Sequence, residues 1–99
     1  MSHPLGSLAD NLTAYAIYAT AQAEMRRAYS LIDAGEFAAA AAEIDSAARA
    51  AEVLANVSAS AAADRTPHWH RVAAARRRFA ERARTHASDQ ATRPVLVAA

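Results

Sequence analysis

The sequence contains no cysteine and no lysine, and it has only two glycines, three prolines and six aromatic residues among 99. Without cysteine, disulfides and thiolate metal sites are excluded. Two glycines and no lysine cannot form the G-x-x-x-x-G-K-[ST] phosphate-binding loop. No run of 18 apolar residues occurs, so we expect no membrane span. The apolar segment 12–21 follows Asp10 instead of basic residues, unlike a secretory signal, so we expect a cytoplasmic protein.

Alanine is the residue that the chain has most of, and it supplies 31 of the 53 apolar residues. Hydrophobic stabilisation grows with the apolar area that is buried, so the 22 larger apolar side chains form a thin core. Residues 1–99 are short enough to be a single small domain. Such domains are commonly stabilised by disulfides, metals or oligomerisation. With disulfides excluded, we predict a homodimer.

Turn and cap residues divide the chain into three predicted helices, at about residues 8–33, 36–63 and 67–87, followed by an irregular tail over 88–99. Ser7 to Asp10 fits a capping box, in which two side chains satisfy free backbone N–H groups at the start of a helix. Gly35 fits the left-handed residue that ends many helices. Thr66 and Pro67 fit an N-cap and a first helical residue. The predicted fold is an alanine-rich, all-α, three-helix antiparallel (up-down-up) bundle that self-associates.

The second predicted helix, 36–63, carries 14 alanines in 28 residues and contains neither glycine nor proline. Its first half has one apolar stripe, whereas its second half adds another that includes Val53 and Val57. One helical neighbour cannot cover both stripes, so the second neighbour is either the third helix or another copy of the chain. On the polar side, Asp45 and Arg49 have the spacing of an i,i+4 ion pair.

The third predicted helix is strongly basic. Residues 1–63 carry three arginines and seven acidic residues, whereas residues 64–99 carry eight arginines and three acidic residues. Its apolar face contains Trp69, Val72 and Phe79, with Arg76 inside that face. We predict a small non-catalytic protein–protein interaction or regulatory module, and we expect the contact surface to comprise Val53, Val57, Trp69, Arg76 and Phe79.

A nucleic-acid-binding accessory protein is the alternative prediction. Arginines attract phosphate backbones, and a tryptophan can stack on an unpaired base. The candidate contacts on the third helix are Arg71, Arg77, Arg78, Arg82 and Arg84. The competing interpretation is that these arginines form ion pairs with the acidic first and second helices.

Residues 28–54 resemble a single tetratricopeptide-type helical hairpin. The residues that carry the resemblance are the small and large apolar positions and the glycine turn, namely Ala28, Leu31, Gly35, Phe37, Ala40, Ile44 and Ala47. Small residues let two helices touch, the glycine turns the chain, and the aromatic closes the gap beneath the turn. The resemblance implies a hairpin scaffold that binds proteins.

Arg65 and His70 form an R-x4-H pattern that resembles the active-site motif of the HEPN superfamily of helical ribonucleases, and this resemblance implies RNA cleavage by a dimer. We rank this third. His68 and His70 stand two residues apart and point to different faces of a helix, whereas metal-binding helices place histidines at i and i+4. We therefore predict no metal and no cofactor.

Overall fold

The computed structural model describes residues 3–92, which fold into three helices with no strand among them. Helix α1 spans Leu12–Asp33, α2 spans Phe37–Ala61 and α3 spans Thr66–Thr92, and short 3-10 turns cover Gly6–Asp10 and Ala63–Arg65. Ion pairs join Arg27 to Glu43 between α1 and α2, and Arg84 to Asp45 between α3 and α2. Together with the short connections, these pairings give the predicted up-down-up, all-α bundle.

The start of α1 differs from the prediction. Asn11 is the N-cap, because its side chain accepts a hydrogen bond from the backbone N–H of Ala14 at 3.0 Å. The Ser7 hydroxyl instead donates to the carbonyl oxygen of Ala61 at 2.7 Å, where α2 ends. The predicted capping box is therefore wrong. Its residues lie in a 3-10 turn that buries Leu5 and Leu8 in the core.

The turn between α1 and α2 is the one that the sequence predicts. Gly35 has φ +75°, in the left-handed region. Its N–H donates to the carbonyl of Ile32 at 3.0 Å, and the N–H of Glu36 donates to that of Leu31 at 2.8 Å. This pair of hydrogen bonds defines the Schellman motif, which brings α2 back alongside α1.

The end of α3 extends beyond the prediction. The helix begins at Thr66, which has helical dihedral angles and is not an extended N-cap, and it continues to Thr92. Residues 88–92 are therefore helical, because nothing before Pro94 interrupts the pattern. The Thr92 hydroxyl donates to the carbonyl of Ser88 at 3.1 Å in the last turn. The rest of the predicted tail, including its apolar segment 95–97, lies outside the described residues.

Helix α2 is the centre of the molecule, and its alanines make the core. The apolar stripe predicted on α2 comprises Phe37, Ala41, Ile44, Ala48, Ala51, Ala55 and Ala62. Phe37 is only partly buried at the start of α2, and all the other residues of the stripe are at most 4% exposed. These small side chains let both α1 and α3 pack closely along α2, whereas the backbones of α1 and α3 seldom approach each other. The largest fully buried apolar side chains are Leu5, Ile44 and Leu54. The core is as thin as its composition implies.

Candidate protein-binding groove

A groove runs between α1 and α3. Its volume is about 460 Å³. We call this surface the α1–α3 groove, and it is lined by Gln22, Met25, Arg26 and Tyr29 on α1 and by Val72, Ala75, Arg76 and Phe79 on α3.

Aromatic pairs bridge the two helices at the ends of this groove. The ring centroids of Tyr18 and Trp69 are 6.0 Å apart at one end, and those of Tyr29 and Phe79 are 6.0 Å apart at the other. Such edge-on and tilted contacts are favourable geometries for aromatic rings. Met25 on α1 and Val72 on α3 give the groove apolar lining beside the Arg76 side chain.

Arg76 is the polar group inside this apolar groove. Its side chain is half-buried, and its Nη1 donates a hydrogen bond to the carbonyl oxygen of Ala47 on α2 at 2.9 Å. Burial lowers the pKa of the Arg76 guanidinium from its ordinary value, although the group stays charged at neutral pH. Among residues 3–92 no carboxylate forms an ion pair with it. The groove therefore contains a partly desolvated cation without a counter-ion.

A smaller cavity of about 160 Å³ continues the groove beyond Phe79, which lines both. Its other lining residues are Ile32, Phe37, Arg82, Ala83 and His86. The charged residues that line the groove and this end cavity are all basic, namely Arg26, Arg76 and Arg82. The combined surface is apolar in its walls and positive in its charge.

The structure divides the predicted contact residues among three places. Arg76 and Phe79 lie in the α1–α3 groove. Val53 and Val57 lie on α2 and point away from that groove, 44% and 38% exposed. Trp69 is only 2% exposed and packs in the core with Leu54, so it supports the surface from within and is not part of it.

Four of the five predicted basic residues line one surface depression together with Asp45 and Glu81, namely Arg77, Arg78, Arg82 and Arg84. Arg77 forms a hydrogen-bonded ion pair with Glu52. The hydrogen bond lowers the pKa of the Glu52 carboxyl and raises the pKa of Arg77. Arg84 pairs with Asp45 and Glu81, both at 2.5 Å. The predicted pair between Asp45 and Arg49 is therefore wrong, because Asp45 points towards α3. Two of the five arginines proposed for nucleic acid thus pair with acidic groups, and this confirms the competing interpretation for them.

Three of those five arginines lie at i, i+7 and i+11 along one face of α3, namely Arg71, Arg78 and Arg82, and Arg82 also lines the end cavity. None of the three forms an ion pair within residues 3–92. Trp69 is buried and cannot stack on a base beside them. A phosphate-binding surface would therefore have three cations and no aromatic platform.

The R-x4-H residues lie at the junction of α2 and α3. The side chain of Arg65 packs over Gly6, and its Nε lies 3.5 Å from Asp64. His70 is exposed at the start of α3. Within residues 3–92 no cluster of three or more histidine, aspartate and glutamate side chains could hold a metal ion, and no helix there is apolar enough over its length to cross a bilayer.

The α1 wall of the groove was not predicted from the sequence. Gln22 and Arg26 lie at i and i+4 and interrupt the apolar face of α1. Polar residues at that spacing, beside Met25 and Tyr29, indicate that this side of α1 is open to solvent and is not packed against another helix.

The fold and the groove define an all-α, three-helix bundle that is open on one side. In comparisons with known proteins, no family model, no curated protein and no solved structure matches the chain. The likeness of residues 28–54 to a tetratricopeptide-type hairpin stays a prediction.

Proposed function

We propose that the chain is a non-catalytic protein-interaction module whose α1–α3 groove binds a helix of another polypeptide. The observation that carries the proposal is the open groove itself. Met25, Val72 and Phe79 give it apolar lining, and Arg76 is half-buried in it without a carboxylate partner among residues 3–92. Concave apolar surfaces with a few convergent polar groups are typical of binding sites.

The arrangement of the helices favours a helix as the ligand. Helices α1 and α3 run in the same direction beside α2; their backbones seldom approach each other, and aromatic pairs bridge the gap between them. A fourth helix lying between them would give each helix two neighbours, as in a four-helix bundle. Gln22 to Ile32 on α1 measures about 15 Å and Val72 to His86 on α3 about 21 Å, a length that a helix of about 14 residues would cover.

Site-specific photocrosslinking tests this proposal. A photoreactive phenylalanine analogue is introduced at Ala75, which lines the groove, or at the adjacent Ala74, which is exposed outside it. In cells that naturally produce the protein, Ala75 should crosslink to one helical segment of another polypeptide, identified by mass spectrometry, and Ala74 should not. The crosslink should also disappear with Phe79→Asp. Equal crosslinking at the two positions, or none at Ala75, would reject the groove as the binding surface.

Self-association is a second candidate, and a separate surface favours it. Val53 and Val57 are exposed at i and i+4 on α2, and Ala50, one turn before Val53, lines a shallow depression of mixed polarity with Ile17, Thr20, Glu24 and Ser46. Isolated exposed apolar residues are ordinary, but a contiguous apolar patch is a common mark of an interface. This patch lies apart from the basic groove, so two copies of the chain can meet there without bringing their groove cations together. The predicted homodimer would use this face.

A further inference from the structure

We infer that the helix bound in the α1–α3 groove carries a glutamate or aspartate within its apolar face and that this carboxylate pairs with Arg76. This inference rests on the proposed function and identifies the chemistry of the partner at the same site.

Arg76 has more hydrogen-bond donors than residues 3–92 use. A guanidinium has five N–H donors, and a single hydrogen bond, to Ala47, joins Arg76 to residues 3–92. Glu24 is the acidic group that acts on it through space, but the Glu24 carboxylate accepts a hydrogen bond from the Ser46 hydroxyl on the α1–α2 side. Arg76 therefore has donors available to a ligand in the groove.

Covering the groove changes the surroundings of Arg76. A bound helix removes the remaining water from Arg76, and an unpaired charge that is fully buried is strongly unfavourable. A carboxylate compensates for this loss with two parallel, charge-assisted hydrogen bonds. A neutral amide or hydroxyl would satisfy fewer donors and would leave the charge uncompensated. The partner must therefore supply an anion at the level of Arg76.

The side chains on either side of Arg76 determine what kind of molecule carries the anion. Met25, Val72 and Phe79 form apolar walls on both sides of Arg76. A phosphate backbone cannot cover such walls, whereas a helix with apolar residues one turn before and after its carboxylate can. Arg26 at the rim and Arg82 in the end cavity add positive charge around the same ligand. The site therefore fits an acidic amphipathic helix.

A selection experiment tests this inference even while the natural partner is unidentified. The probe is a displayed library of helical peptides of about 14 residues, randomised on one face. The library is selected separately on the wild-type protein, on Arg76→Met and on Arg71→Met. Arg71 is the matched control, because it is an exposed arginine on the outer face of the same helix. Circular dichroism checks that each variant is folded, and Arg76→Gln replaces Arg76→Met if that variant is not.

We expect the wild type and Arg71→Met to enrich an aspartate or glutamate at one position among apolar residues, and Arg76→Met to lose that preference. Replacing the selected acid by its amide should weaken binding to the wild type about tenfold, the loss expected for one buried charged hydrogen bond, and should not affect Arg76→Met. Binders without an acidic preference, or a preference that persists in Arg76→Met, would overturn the inference and leave the proposed function intact. If no peptide binds and Ala75 crosslinks no more than Ala74, the proposed function itself fails.

Discussion

Arg76 on α3 donates a hydrogen bond from Nη1 to the carbonyl oxygen of Ala47 on α2, 2.9 Å away, and has no ionic partner within residues 3–92. Replacing buried ionic groups by apolar side chains of similar volume is often neutral or stabilising. We therefore expect Arg76→Met to change the free energy of unfolding by less than about 1 kcal/mol, or to increase it, as measured by urea denaturation.

Arg76→Ala provides the comparison for this prediction. It removes the aliphatic stem that covers apolar surface as well as the charge, so it should be less stable than Arg76→Met. A loss of more than about 2 kcal/mol in Arg76→Met itself would mean that the guanidinium stabilises the fold, in the range of a hydrogen bond made by a charged group. That result would remove the reason for assigning Arg76 to binding.

The alanines of α2 are predicted to be essential for close packing. Ala51 is fully buried between α1 and α3, whereas Ala42 is exposed on the same helix. Ala51→Leu should lower the free energy of unfolding by about 1–3 kcal/mol or more, because the enlarged side chain forces the helices apart. Ala42→Leu makes the same substitution at a position exposed to solvent, and it should alter the free energy of unfolding by less than about 0.5 kcal/mol. Equal effects at the two positions would contradict the packing described here.

The outer face of α2 is predicted to mediate self-association. Multi-angle light scattering after size exclusion, at several protein concentrations, should show a species of twice the 10.5 kDa chain mass. Val53→Glu combined with Val57→Glu should give the monomer, because burying two carboxylates in an apolar interface is unfavourable. The control is Leu12→Glu, since Leu12 is 85% exposed at the start of α1 and should leave the dimer unchanged. A wild-type chain that elutes as a monomer at all concentrations would exclude the homodimer.

The sequence was sufficient to predict features that depend on local chemistry. The glycine requirement at Gly35 and the alanine stripe around Ile44 are set by residues a few positions apart, and both are confirmed. The predicted cap at Ser7 was wrong. That serine is a suitable cap by local rules, but its hydroxyl donates a hydrogen bond to the carbonyl oxygen of Ala61, 54 residues away. Long-range contacts of this kind are absent from the local pattern.

The groove could not be predicted for a related reason. The position of Arg76 inside an apolar face was visible in the sequence, and its half-burial confirms that placement. The separation of α1 and α3, in contrast, was not visible in the sequence. It depends on how closely each helix packs on α2 and on where the rings of Tyr29 and Phe79 meet. Those are properties of three helices together, whereas the periodicity of a sequence describes one helix at a time.

Stability should fall as the pH is lowered through the histidine range, because of His68. Its ring packs edge-on to Trp69 at 4.8 Å, and burial, followed by the nearby positive charges of Arg71, Arg65 and Arg76, lowers its pKa from 6.5. The folded protein therefore favours neutral His68, and the unfolded chain binds a proton more readily.

The contribution of His68 is complete above pH 6.5 and decreases below it, by at most about 1.4 kcal/mol per pH unit for one group. Between pH 7.5 and 5.0 the free energy of unfolding should decrease more in the wild type than in His68→Gln, as measured by urea denaturation at each pH. His70→Gln, which changes an exposed histidine two residues away, provides the comparison. The pair between Glu52 and Arg77 stays charged over this range, because its hydrogen bond lowers the pKa of the carboxyl. Identical pH profiles for the wild type and His68→Gln would show that His68 does not contribute to the pH dependence.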